Sequence, residues 1–171
     1  MFEGKTIVVG VSGGIAAYKA AQLVSDLAKT DADVHVLMTE NAAEFVSALT
    51  FETLSKNRVA ADTFDRNYEY DVEHVALAKK ADVMLIAPAT ANVIAKFAAG
   101  VADDMLTTTV LAARCPKIVA PAMNTGMYDN PVTQRNLETL RGFGFTVLEP
   151  DSGLLACGDT GRGRLPDPAV L

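Results

Sequence analysis

The sequence has no tryptophan, few other aromatic residues, and only two cysteines and two histidines among its 171 residues. Cys115 and Cys157 can form at most one disulfide, so a disulfide-built scaffold is excluded, and free thiols in a reducing cytoplasm are expected. The apolar runs are much shorter than the roughly 20 residues of a membrane-spanning helix, so we expect no membrane partner. The first residues lead directly into a predicted strand, and we therefore expect no signal peptide.

Basic residues are also in deficit. The chain has 15 Lys and Arg against 21 Asp and Glu, a net charge of −6, and its basic residues do not cluster. Proteins that bind nucleic-acid phosphates use clustered Lys and Arg, so a general nucleic-acid role is disfavoured. We also predict no metal site.

What the sequence does contain is a regular alternation of predicted strands and helices. The length suits one domain, 1–171, with a sizeable core. Strands separated by helices indicate an α/β fold, with a doubly wound parallel sheet between two helical layers. Buried apolar runs predict strands at 5–11, 33–38, 82–87 (ended by Pro88), 117–120 and 145–148. Helical spacing predicts helices at 15–29, 41–56 in one or two pieces, 91–99, 103–114 and 131–142. In the first of these, the apolar positions are Ile15, Leu23, Val24 and Leu27. The segment 58–73 is interpreted as a short strand and an excursion.

A glycine-rich turn, Gly10-Val-Ser-Gly-Gly14, follows the first strand. A nicotinamide fingerprint does not fit, because Ser12 stands where the second glycine is needed. A serine-hydrolase elbow is rejected because that elbow needs strands and an oxyanion loop before it, and only eleven residues precede Ser12. Two interpretations stay open: a tight turn that binds nothing, or a mononucleotide site for FMN. In the second, the Ser12 hydroxyl and nearby amides contact the phosphate or ribityl chain.

Further small or polar residues follow other predicted strands, at the edge where parallel sheets bind ligands. Each threonine alone is best explained as a helix cap. Their convergence with small residues leaves room for a flat ring system against the backbone. The residues concerned are Thr39, Pro88, Ala89, Thr90, Ala91, Asn92, Ala122 and Met123.

Two segments near the end of the chain offer reactive side chains. Asn124 lies on an irregular turn after the fourth strand, and its amide can bind a carboxylate or an amide. Cys157 lies in a glycine-rich segment interpreted as a flexible loop, which predicts a lid that carries a thiol. Cys115 precedes Pro116 at a helix end and is interpreted as structural, as is His35 within a strand.

These segments together resemble the homo-oligomeric flavin-containing cysteine decarboxylases, and within them the branch that acts on 4′-phosphopantothenoylcysteine in coenzyme A synthesis. The resemblance covers nearly the whole chain, with one departure: Tyr128 stands where the family usually has Trp. A ligase domain, which many relatives carry after this one, is not within these residues. The segments are Val11-Ser-Gly-Gly-Ile-Ala-Ala-Tyr-Lys19, Glu73-His-Val-Ala-Leu77, Ala87-Pro-Ala-Thr-Ala-Asn92, Ala99-Gly-Val-Ala-Asp-Asp-Met-Leu-Thr107, Pro121-Ala-Met-Asn-Thr-Gly-Met127 and Ala156-Cys-Gly-Asp-Thr-Gly-Arg-Gly-Arg164.

The resemblance implies a flavodoxin-like, Rossmann-like fold, an FMN cofactor, and cytoplasmic homotrimers that sometimes group into dodecamers. It implies catalytic roles for His74 and Cys157, and substrate contacts for Asn124 and Met123. His74 is expected to help deprotonate the substrate thiol or to orient its carboxylate, and Cys157 to donate a proton. The cofactor contacts that it implies are Gly10, Ser12, Gly13, Thr39, Pro88, Ala89, Thr90, Ala91 and Ala122.

The chemistry is consistent with that assignment. A cysteinyl carboxylate has no electron sink, whereas oxidation of the thiol to a thioaldehyde by a flavin creates one. Loss of carbon dioxide then leaves an ene-thiolate, and return of hydride with a proton gives the saturated thiol without net redox change.

Four alternatives remain beside this hypothesis. A peptidyl-cysteine decarboxylase of lantibiotic maturation stops at the ene-thiol and lacks the cysteine, so Cys157 argues against it. A prenylated-flavin synthase lacks the Pro-Ala-Met-Asn segment, and non-catalytic regulatory subunits carry acidic extensions that are absent here. A flavodoxin-like electron carrier needs neither His74 nor Cys157.

Overall fold

The computed structural model describes residues 2–61 and 73–171. Its centre is a five-stranded sheet in the order β2-β1-β3-β4-β5, in which all neighbouring strands run parallel. A separate antiparallel hairpin, β6–β7, follows. The strands are β1 (Thr6–Val11), β2 (Asp33–Met38), β3 (Val83–Ala89), β4 (Lys117–Pro121), β5 (Thr146–Val147), β6 (Asp151–Leu154) and β7 (Thr160–Arg164).

Helices cover both faces of the sheet, as a parallel sheet requires. Alternate residues of β1 belong to two different cores, because successive side chains of a strand point to opposite faces. Val8 packs in the core under α4, α5, α6 and α8, whereas Val9 packs in the core under α1 and α3. The helices are α1 (Ala17–Ala28), α2 (Glu40–Ala43), α3 (Ala48–Ser55), α4 (Glu73–Lys80), α5 (Ala91–Ala99), α6 (Met105–Ala112), α7 (Thr125–Tyr128) and α8 (Pro131–Gly142).

The strand order places a crevice at the carboxyl ends of β1 and β3. The chain moves from β1 to β2 on one side and then returns to β3 on the other side of β1. At such a reversal the connections leave in opposite directions, so a gap opens above the sheet. This confirms the predicted doubly wound, three-layer α/β fold and positions the candidate site.

Several predicted boundaries are confirmed, and others are corrected. The bounds of β2, α5 and α8 are those predicted. Strand β3 does not end at Pro88 but continues to Ala89. The register with β4 shifts between Ile86 and Ala89, so the strand pairing does not need an N–H from Pro88. Helix α6 begins at Met105 rather than at 103, because Asp104 is its N-cap. Ile15 precedes α1 and is 60% exposed, so its assignment to the apolar helix face was wrong.

The segment predicted as a flexible loop is largely a hairpin, with Cys157 in the connection between β6 and β7. The Met123 N–H donates to the Gly163 carbonyl at 2.9 Å, so β7 is attached to the end of β4. The short strand expected near 58 is reduced to one bridge, Leu37–Ala60, and 62–72 of the predicted excursion lie outside the described residues. Within the described part of the chain, no helix has the length and apolar character needed to cross a membrane.

Candidate active site

A cavity of about 800 Å³ occupies the crevice at the carboxyl ends of the strands. This volume is in the range of cofactor and small-molecule sites, roughly 300–1,000 Å³. Its wall combines the turn after β1, the ends of β3 and β4, and the β6–β7 hairpin. Of the predicted site residues, those that line it are Ser12, Gly13, Thr39, Pro88, Thr90, Asn92, Ala122, Met123, Asn124 and Cys157.

Ser12 joins the ends of two strands. Its hydroxyl donates to the Pro88 carbonyl at 2.7 Å and accepts from the Thr90 N–H at 3.0 Å, and the residue is 1% exposed. A hydroxyl has one proton and two lone pairs, so Ser12 can offer a ligand only one remaining lone pair. Ser12 can therefore only accept a hydrogen bond from a ribityl hydroxyl and has no proton left for a phosphate, and its evident role is to fix the β1 and β3 loops.

The glycines of this turn are explained mainly by packing. A side chain on Gly13 would overlap the backbone of Asn41, and one on Gly10 would meet Leu106 Cδ1 at 2.6 Å. Gly10, Ala89 and Ala91 are not among the residues that line the cavity in the described chain. Their prediction as direct cofactor contacts receives no support from the geometry, whereas Gly13 lines the cavity and also needs its missing side chain.

The backbone before α1 offers free donors. The N–H groups of Gly13, Gly14, Ile15 and Ala16 have no acceptor within residues 2–61 and 73–171. Unpaired amides at the start of a helix attract anions, because the helix dipole adds to their partial positive charge.

The two threonines at the cavity cap helices. Thr39 Oγ1 accepts from the Ala42 N–H at 3.3 Å at the start of α2, and Thr90 Oγ1 accepts from the Val93 N–H at 3.4 Å at the start of α5. The helix-cap interpretation is confirmed for both, and their side chains still line the cavity.

Asn124, Cys157 and Asp159 form a cluster at the mouth of the cavity. The Asn124 side-chain oxygen caps α7 by accepting from the Gly126 N–H at 2.8 Å. Its amide nitrogen donates to Asp159 Oδ2 at 2.9 Å and to Cys157 Sγ at 3.4 Å. The thiol in turn donates to Asp159 Oδ2 at 3.4 Å. The cap holds the amide in place, and the amide faces an exposed thiol.

The sequence reasoning missed Asp159. Its only signal was a carboxylate two residues after the candidate cysteine, which in an irregular loop predicts nothing. The hairpin turn brings it back against both Asn124 and Cys157, so one carboxylate accepts from the two residues with predicted chemical roles.

Tyr128, the departure from the family pattern, is 2% exposed in α7. Its hydroxyl donates to Glu149 Oε2 at 2.8 Å, and the guanidinium of Arg162 lies 5.4 Å from its ring centroid. Burial and the Glu149 carboxylate raise the pKa of Tyr128. Tyr128 thereby packs β7 against α7.

The two histidines lie apart from this cluster. His74 is half-buried in the first turn of α4, and the residues that line the cavity in the described part of the chain do not include it. His35 contacts Asp33 at 3.2 Å and Lys80 at 3.0 Å, which agrees with the structural role predicted for it.

Comparison with known proteins identifies the family. The sequence model of the flavoprotein family matches residues 1–171. The chain belongs to the flavoprotein family. Two relatives of this family member indicate its branch. It is 50% identical over 168 residues to the coenzyme A biosynthesis bifunctional protein CoaBC of Bacillus subtilis, covering 98% of this chain and 41% of that protein. It is 48% identical over 165 residues to a probable phosphopantothenoylcysteine decarboxylase of Streptococcus mutans, covering 95% and 92%.

Solved structures confirm the flavodoxin-like fold of this flavoprotein. A PPC decarboxylase mutant complexed with pantothenoylaminoethenethiol has a TM-score of 0.88 at 32% identity, covering 97% of this chain and 93% of that chain. The FMN-dependent cysteine decarboxylase SpaF has a TM-score of 0.84 at 33% identity, covering 95% and 91%. The chain spans about two fifths of the length of the bifunctional relatives it matches.

Proposed function

We propose that this flavoprotein catalyses the FMN-dependent decarboxylation of 4′-phosphopantothenoylcysteine to 4′-phosphopantetheine, in the cytoplasm and as a step of coenzyme A biosynthesis. The observation that carries the proposal is the Asn124–Cys157–Asp159 cluster at the mouth of a cofactor-sized cavity. The identity to a probable phosphopantothenoylcysteine decarboxylase over nearly the whole of both chains supports the choice of substrate.

The residues present suit FMN. Free amides of Gly13–Ala16 match a phosphate, and the small side chains of Ala16 and Ala122 leave space for a planar ring. We expect Thr39, Pro88 and Thr90 to border the ring and the ribityl chain. When bound, FMN supplies a reversible acceptor for the two electrons and the proton that thiol oxidation releases as hydride.

The protein's own groups then bind substrate and move protons. The Asn124 amide nitrogen, which donates to Asp159 and Cys157 in the free chain, can donate to the substrate carboxylate instead. Met123, adjacent to it in the cavity wall, contacts the substrate's apolar portion. Cys157 holds a proton on Sγ and delivers it to the carbon of the ene-thiolate. Asp159 positions the thiol of Cys157, while its bond from Asn124 is released when that amide binds the substrate.

We propose that His74 acts on the substrate thiol or carboxylate from a neighbouring copy of the chain. It is absent from the cavity wall of a single described chain, whereas the apolar side chains of Ile15, Tyr18 and Leu154 line that wall at 60–70% exposure. Exposed apolar surface of this kind is typical of an interface. The assembly that this proposal implies is a homotrimer, with the dodecamer as a further level.

The experiment that tests the function is a product assay. Purified protein is expected to be yellow, to release FMN on denaturation, and to convert phosphopantothenoylcysteine to carbon dioxide and the saturated thiol. Mass spectrometry of the product identifies the reaction. An ene-thiol end product would instead support the peptidyl-cysteine type of decarboxylase, and full activity without flavin, or no release of carbon dioxide, would overturn the proposal.

A further inference from the structure

Two basic side chains line the same cavity as the thiol cluster without a partner of opposite charge. Lys19 comes from α1 and Arg164 from the end of β7. Within the described residues, neither forms an ion pair with a carboxylate, whereas the third basic residue of the wall, Lys96, lies 2.7 Å from Asp103 and 3.4 Å from Asp104. Among the described residues, Lys96 is therefore ion-paired, whereas Lys19 and Arg164 are not.

Backbone contacts hold the Lys19 ammonium and fix the position of Arg164 in the chain. Lys19 Nζ donates to the Leu165 carbonyl at 2.8 Å, which uses one of its three donors and directs the side chain to the residue after Arg164. Arg164 follows Gly163, whose carbonyl is bonded to Met123. Its guanidinium lies beside Gly153 of β6, where a side chain would be 3.5 Å from Nη1. The hairpin therefore brings Arg164 to the same side of the cavity as Lys19.

The electrostatics agree with this placement. Partial burial lowers the pKa of Lys19, and the positive charge of Arg164 lowers it further, while Asp167 and Asp151 act in the opposite direction. Two like charges kept close together gain stability when an anion binds between them.

We propose that Lys19 and Arg164 form a second anion subsite, which binds the phosphate of the phosphorylated thiol substrate. This inference rests on the proposed function and adds a determinant of substrate choice to it. The subsite differs from the amide group of Gly13–Ala16, to which we assign the flavin phosphate, because Lys19 is directed to the hairpin and not to the helix start. A substrate that lacks the phosphate should bind without help from either cation.

The test compares 4′-phosphopantothenoylcysteine with pantothenoylcysteine, its form without phosphate. For wild-type protein, kcat/KM should be higher with the phosphorylated substrate. Lys19→Met or Arg164→Met should each lower that preference by about tenfold to a hundredfold, since a hydrogen bond to a charged group contributes on that scale. Activity on pantothenoylcysteine should fall much less, since no phosphate contact is lost there, so the readout is the ratio of the two kcat/KM values. Arg135→Met is the matched control, because Arg135 is exposed on α8 and outside the cavity wall.

The same measurements, together with the affinities of each variant for FMN and for riboflavin, separate the other outcomes. Equal losses on both substrates would overturn the subsite and show that the two residues only maintain the hairpin. Loss of FMN affinity with riboflavin affinity unchanged would overturn it in favour of a flavin-phosphate contact. A preference for the phosphorylated substrate that survives both substitutions would overturn the subsite but not the proposed function. Wild-type protein that decarboxylates neither substrate would overturn both.

Discussion

At the scale of single residues, the environment of Cys157 explains its proposed role better than the cysteine itself does. An exposed loop thiol has no defined position, but Sγ here lies within 3.4 Å of both the Asn124 amide and the Asp159 carboxylate. The amide that is proposed to bind the carboxylate is thus next to the group proposed to donate the proton. Loss of carbon dioxide and protonation can then occur at one place.

Replacing the thiol should separate the two halves of the reaction. A serine hydroxyl is several pKa units less acidic than a thiol, so in Cys157→Ser delivery of a proton to the ene-thiolate should slow by orders of magnitude. The variant should release carbon dioxide in one turnover, accumulate the ene-thiol and leave the flavin absorbance bleached. Rapid-mixing absorbance with product analysis measures this. Formation of the saturated thiol at the wild-type rate would show that Cys157 is a bystander.

Asp159→Asn should affect the second half of the reaction alone. The amide keeps the shape and one acceptor oxygen but removes the charge that strengthens the bonds from Asn124 and Cys157. Formation of the saturated thiol should therefore fall by about tenfold. The rate of flavin bleaching should be unchanged. Asp151→Asn is the matched control in the same hairpin, because Asp151 is exposed and outside the cluster. Equal effects of both substitutions would contradict a specific role for Asp159.

At the scale of secondary structure, the elements that could be predicted are those whose own apolar side chains form the buried core. The run Thr6–Val11 is buried throughout, and the periodicity of α5 places Val93, Ile94 and Phe97 in the core. The hairpin was missed because 151–164 has no apolar alternation, and its order comes from distant contacts such as Met123–Gly163. For the same reason, the packing of Gly13 against Asn41 could not be predicted from a glycine-rich turn that also suited a ligand.

The attachment of the hairpin can be tested at Gly163. This residue has a φ of +137°, and an added side chain would overlap the Met123 carbonyl oxygen. Gly163→Ala should therefore detach β7 from the end of β4 and lower the free energy of unfolding by about 2–4 kcal/mol. Activity should be lost with it. Denaturant unfolding and amide hydrogen exchange of the hairpin measure the two effects.

Gly153→Ala is the control in the facing strand. An added side chain at Gly153 would lie 3.5 Å from its nearest neighbour, the flexible Arg164 side chain, which is an ordinary contact. The φ of Gly153 is not in the left-handed region. This substitution should change the free energy of unfolding by less than about 1 kcal/mol. Equal stability of the two variants would contradict the proposed attachment.

At the scale of the whole molecule, the cavity of one described chain lacks one of the residues that we propose for its site. The cavity wall of the described chain contains Asn124, Met123 and Cys157 but not His74, which lies in the first turn of α4. The sequence could identify His74 as a candidate through the resemblance, but it could not show which copy of the chain the histidine serves. That depends on an interface, and the exposed apolar rim at Ile15, Tyr18 and Leu154 is where we expect one.

Mixed oligomers can decide which copy of the chain supplies the histidine. His74→Asn alone should block the first step and leave the flavin oxidised, and Cys157→Ser alone should stop at the ene-thiol. If each site combines His74 of one copy with Cys157 of its neighbour, random trimers of the two variants should contain intact sites. After selection through both tags every trimer contains both variants and has one intact site, so intact sites should make up about a third of the total. Co-expression with two different tags, tandem purification and an assay of the saturated thiol measure this fraction, with each variant purified alone as the control.

If His74 and Cys157 act within one chain, every site in the mixture lacks one of them, and the saturated thiol should not form above the level of the single variants. A monomer by sedimentation that retains turnover would likewise refute the shared site, because the histidine would then have to reach the cavity of its own chain.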